Sequence, residues 1–156
     1  VLEVCEHLNV PGGHYLRHLR KAYADPHARF VRASTHEPGR WGGLLTRTMR
    51  PREDGSMPMR VRTLWLFEPR QAPAKRLGAL DDLLGQVETF QAVLDQAAQR
   101  GFEGPRITST LGPVIRFKTA DAFRFTIAHQ GRHLLRIDRT LEALGAPSTV
   151  TSARTA

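Results

Sequence analysis

The sequence predicts an all-α fold: a bundle of long helices joined by lengthy crossovers. Three observations carry that expectation. Apolar residues recur at spacings of three and four over about 1–23, 77–100 and 119–144, the period of helices that bury one face. Gly101 and Gly145-Ala146-Pro147 stand where the second and third stretches must stop, in the manner of helix C-termini. Only 61–67 and 114–117 read as extended chain.

Each element follows in order. The first helix is interrupted by Pro11-Gly12-Gly13; proline in a helix interior costs ~3 kcal/mol and glycine about 1, so a kink or break is expected there. Val1 to Leu8 already reads as helix interior with no capping residue ahead of it, which predicts that natural sequence precedes Val1. The stretch 24–75 is rich in Pro, Gly and Arg, and a crossover of that length is expected to pack on the bundle or serve its function. The second helix carries the clearest stripe: Leu80, Leu83, Leu84, Val87, Phe90, Leu94, Ala97 and Ala98. In the third, Thr119 suits the N-cap and Asp121 the first turn, while Phe123, Thr126, Leu134, Ile137, Leu141 and Leu144 form the apolar arc. One domain over 1–145 with a flexible tail, 146–156, accounts for the chain. Three amphipathic helices are few for a closed core, so a fourth partner is expected from upstream residues or from a homodimer contact.

Composition narrows the class. The chain has 156 residues, 40% hydrophobic and 24% charged, the balance of one soluble globular domain. The single cysteine, Cys5, excludes a disulfide scaffold and favours a reducing compartment. No apolar run approaches the ~18 residues of a membrane helix and no secretory pattern is present, so a cytoplasmic protein is expected. The net charge of +8 admits a rival reading, a non-catalytic basic binding module for nucleic acid or another anionic partner. Its grip would be Arg47, Arg50, Arg52, Arg60, Arg62, Arg70, Lys75 and Arg76, with Trp41 and Trp65 nearby. Arginines in a Pro-rich loop are ordinarily solvated, and 7% aromatic residues offer little stacking capacity. A small-molecule substrate is the better expectation.

The histidines carry the chemistry. His129 and His133 stand four residues apart in His-Gln-Gly-Arg-His, so they project from one side of a helix, about 40° apart around its axis. That spacing lets both imidazoles reach one ion. A zinc peptidase places Glu directly after its first histidine as general base; Gln130 stands there and cannot take a proton, which excludes that chemistry. His7, beside Val4, Cys5 and Leu8, would complete a three-His site with open positions for water or substrate. His14 and His18 are a rival pair for the same ion, and His27 and His36 read as surface residues. Cys5 points about 160° from His7 on a regular helix and reads as a small core residue, and Glu6 as an exposed or supporting one.

Glu6-His7-Leu8 in an early helix, Phe67-Glu68-Pro69 before an amphipathic helix, and the run 119–133 ending Ala128-His129-Gln130-Gly131-Arg132-His133 closely resemble the DinB/YfiT-like superfamily. The likeness covers roughly 1–144, and its most specific element is Ala-His-x-x-x-His followed by an amphipathic helix. It implies a four-helix bundle whose first helix is missing from this chain, and a divalent metal held by His7, His129 and His133. Members of that superfamily include metal-dependent hydrolases, thiol-dependent S-transferases and isomerases. The implied cofactors are a divalent ion, zinc or nickel foremost, and a low-molecular-weight thiol. The Pro11-Gly12-Gly13 segment departs from the pattern. Three neutral imidazoles leave the ion's charge uncompensated, which favours an anionic ligand and lowers the pKa of a bound thiol or water. Arg132 and Arg136, bordering His129, are weak candidates for holding a carboxylate-bearing substrate. Because imidazoles must be neutral to ligate, metal occupancy is expected to fall as pH drops through about 6.

Overall fold

Pro11 does not break the first helix. In the computed structural model, which describes residues 1–52, 54–58 and 77–146, α1 runs unbroken from Leu2 to Ala24. Pro11 has no N–H for the carbonyl of His7, four residues back, and that local loss is outweighed by burial at both ends of the helix. Cys5 and Leu8 are buried before the proline, and Tyr15, Leu16, Leu19 and Tyr23 after it. Each such side chain contributes roughly 1.5–3 kcal/mol, so the sum exceeds the ~3 kcal/mol proline penalty. Gly12 admits Gln86 of the facing helix: a Cβ there would sit 2.7 Å from Gln86 Oε1.

Among the described residues, three further helices follow: α2 (Arg40–Met49), α3 (Ala79–Arg100) and α4 (Thr119–Ala143). A two-stranded antiparallel ribbon, β1 (Ile107–Ser109) and β2 (Gly112–Phe117), joins α3 to α4. Ile107 lies opposite Phe117 and Thr108 opposite Arg116. The molecule is therefore mainly helical, and the three long helices and the extended run at 114–117 lie where patterning placed them. The run 61–67, the basic residues from Arg60 to Arg76 and the tail beyond Ala146 lie outside the described residues. No helix among those described is long and apolar enough to cross a membrane.

α1 packs chiefly on α3, and α2 on α4. The main core joins Tyr15, Leu19 and Tyr23 of α1 to Phe90, Val93 and Ala97 of α3, with Ile107 and Phe117 of the ribbon and Phe123 and Phe125 of α4. A smaller cluster, Cys5, Leu8, Ala79 and Leu83 with Val4 and Ile137, lies at the other end of α1. Gly101 closes α3 with φ 110°, and a Cβ there would come within 2.3 Å of the Val31 carbonyl oxygen. Only glycine satisfies both demands.

Some expected packing is corrected. Of the α3 stripe, Leu83, Phe90 and Ala97 are buried, but Leu80, Leu84, Val87 and Ala98 are exposed. With Leu77, also exposed, these leucines and the valine form a row because α1 covers only one edge of a wide apolar arc. On α4, Leu134 and Leu144 are exposed while Phe123 and Thr126 are buried. Thr119 is not the N-cap: Lys118 holds that place without a side-chain cap, and the Thr119 hydroxyl donates to the Pro105 carbonyl at 2.6 Å.

His36 is not a free surface residue either. Its Nδ1 lies 2.5 Å from Glu103 Oε1 and its Nε2 2.9 Å from Asp121 Oδ1, so both ring nitrogens face carboxylate oxygens. Asp121, 1% exposed, also accepts the Gly39 N–H through Oδ2 at 2.8 Å. A carboxylate supplied by α4 thus sits at the N-terminus of α2, where the helix dipole favours an anion. Gly42 makes that approach feasible, since a Cβ there would lie 2.4 Å from Asp121 Cγ and 2.5 Å from its Cβ. Gly42→Ala is accordingly expected to lower stability by about 1–3 kcal/mol through overpacking, measured as a reduced urea midpoint at unchanged slope.

Candidate metal centre

The site forms where the N-terminal part of α1 meets the middle of α4. His129 and His133 project one turn apart from α4, and His7 meets them from α1. His7 Nε2 and His129 Nε2 are 3.4 Å apart. Ring centres are separated by 5.3 Å for His7–His129, 4.6 Å for His7–His133 and 4.7 Å for His129–His133. Each ring offers one nitrogen, and these nitrogens all lie within 4.8 Å of one another.

Those dimensions approach the ones a shared ion requires. A tetrahedral centre with ~2.1 Å bonds places two ligand nitrogens roughly 3.4 Å apart, and at most ~4.2 Å separates any two. Two imidazoles on one ion hold their ring centres roughly 4.5–5.2 Å apart at right-angled to tetrahedral geometry. Small ring rotations close what remains. The donor set is wholly imidazole, which suits zinc, nickel, copper or iron.

The surroundings keep His129 and His133 neutral. Leu8, Pro11, Tyr15, Phe125 and Thr126 line a small void with His129 and Gln130, and Phe125 stacks on His129 at 5.9 Å between centres, 15° from parallel. Burial first, then the neighbouring His133, His7 and Arg132, push the pKa of His129 down to about 3. Burial, His7, Arg132 and Arg136 push that of His133 down to about 4. Two ligand imidazoles are therefore unprotonated well below neutrality, which moves proton competition for them to lower pH than the value near 6 expected of ordinary histidines.

The same depression has a consequence for folding. An unfolded imidazole titrates near 6.5, so between that value and 3 to 4 the unfolded chain binds more protons than the folded one. The stability contributed by neutral His129 and His133 is fully present above pH 6.5 and is lost as pH falls through this window. With metal removed by chelation, unfolding free energy is expected to drop by about 3 kcal/mol between pH 7 and 5, read from urea titrations at each pH.

Other residues singled out by sequence sort as follows. Arg132 Nη1 donates to the Thr48 carbonyl at 3.2 Å, tying the end of α2 to the flank of the site; Arg136 is exposed. Cys5 is 1% exposed and burial raises its thiol pKa, so it is a core residue. Glu6 is part-buried, with Oε2 sealed from solvent. His14 and His18 do not join His7; their rings lie 4.3 Å apart, about two and three turns onward. His27 is exposed. Among the described residues, a Cβ on Gly131 would meet nothing within 4 Å. Arg47, Arg50 and Arg52 are exposed. Phe125, which sequence reasoning passed over, carries a signal after the fact: it lies one turn before His129.

Comparison with known proteins gives no match: no family model, curated protein or solved structure is significantly similar to this chain.

Proposed function

We propose that this chain is a metal-dependent enzyme of the DinB/YfiT-like kind, a hydrolase or thiol-dependent S-transferase built around His7, His129 and His133. The observation that supports it is the convergence of one histidine from an early helix with two from the last helix, the arrangement that the sequence resemblance implies. A divalent ion bound there would supply a Lewis-acidic position at which a thiol or a water loses its proton more readily. The chain's own residues set the conditions for that. Phe125 holds the plane of His129, and the void lined by Leu8 and Tyr15 excludes water from its inner side. Arg132, pinned by the Thr48 carbonyl, keeps a positive charge beside the rings and favours an anionic substrate. The reading extends to a small-molecule substrate, a cytoplasmic setting and a second copy of the chain covering the row of Leu77, Leu80, Leu84 and Val87.

The experiment is elemental analysis of purified protein followed by assay of the zinc- and nickel-loaded forms. The assay mixes a low-molecular-weight thiol with an electrophile, and in parallel an ester substrate with water. Turnover that is abolished by chelation, restored by metal and lost in His133→Ala supports the proposal. Absence of bound metal under metal-replete conditions contradicts it.

A further inference from the structure

We infer that His14 and His18 form a second, weaker site on α1 for a borderline transition-metal cation such as Ni²⁺, Cu²⁺ or Zn²⁺. His14 Nε2 donates to the Thr108 carbonyl at 2.9 Å, and His18 Nδ1 donates to the His14 carbonyl at 2.8 Å. A carbonyl only accepts, so in each case the contacting nitrogen carries the proton. In the neutral tautomer that such a contact selects, each ring's other nitrogen, Nδ1 of His14 and Nε2 of His18, is the lone-pair donor. Metal-binding histidines are characteristically held this way, with the second ring N–H on a carbonyl that fixes tautomer and orientation.

The two residues are four apart on one helix, and their ring centres lie 4.3 Å apart, just under the roughly 4.5 Å of right-angled ligation, so a small outward ring rotation completes the pair. Burial lowers the pKa of His14, which keeps that ring neutral. An open groove of about 380 Å³, lined by Val10, His14, Arg17 and Thr108 to Thr110, opens the His14 ring to solvent. Two protein donors and the neighbouring Arg17 charge make this site the weaker one. It shares no ligand with the three-His centre, so either can exist without the other. Mg²⁺ and Ca²⁺, which take oxygen ligands, would not bind.

The test is a calorimetric titration of the full chain with Ni²⁺ at pH 7.5. Two classes of site, one ion each, are expected. His18→Gln should weaken the second class at least tenfold and leave the first intact; the double variant His129→Gln/His133→Gln should do the reverse. His14→Gln keeps an amide N–H for the Thr108 carbonyl, so an unchanged circular dichroism spectrum with loss of the second class separates ligation from folding. If the weaker class survives in both His14→Gln and His18→Gln, or if the double variant takes up no Ni²⁺, the inference is overturned. If the wild type binds one ion that disappears in His18→Gln but not in the double variant, the three-His reading fails and this one stands.

Discussion

His129→Ala is expected to weaken divalent metal binding by at least about 100-fold, on the order of 3 kcal/mol. The substitution removes the ring whose Nε2 lies 3.4 Å from that of His7 and leaves two donors where three converged. Equilibrium dialysis with elemental analysis at pH 7.5 measures it, with His27→Ala, an exposed site, as the control that retains wild-type affinity. The same variant makes a second mark. In the metal-free protein it removes one buried imidazole whose pKa is pushed down to about 3, so the loss of stability on acidification should become shallower. A variant that binds metal as well as wild type would remove His129 from the site.

Asp121→Ala is expected to cost about 3–5 kcal/mol of folding stability, the penalty for removing a buried carboxylate and leaving its hydrogen-bond partners unsatisfied. The carboxylate is 1% exposed and receives both the His36 ring and the Gly39 N–H. Its removal strips the α2 N-terminus of its anion and strands His36 against Glu103 alone. For a chain of this size the melting temperature should fall by roughly 10 °C. Asp121→Asn, which can still accept the Gly39 N–H, should lose less. A change below about 1 kcal/mol for alanine would mean that the α1–α2 connection is held elsewhere.

Much of this arrangement was legible in the sequence because it is periodic or local. The His129/His133 pair follows from a spacing of four, and α3 and α4 from apolar residues that return every third or fourth position. His7 could be placed at the margin of an apolar face, but its meeting with α4 came from resemblance and not from spacing. What was not legible is non-local. Pro11 reads as a breaker because propensity counts neighbours along the chain, whereas the packing of Leu8 and Tyr15 across it decides the outcome. α2 is short, begins with two glycines among its first four residues, and is capped by a carboxylate eighty-two positions away. The same contact turns His36 from a loop residue into a clamp. The exposed row on α3 was invisible because a stripe shows which residues are apolar, not which partner is present to cover them.

Anomalous diffraction at the zinc edge from crystals of the zinc-loaded protein tests the three-His centre. The expected result is a peak bonded at ~2.1 Å to one nitrogen each of His7, His129 and His133, with a fourth position open to solvent or substrate. Fully loaded crystals with no anomalous density among those three rings would contradict it.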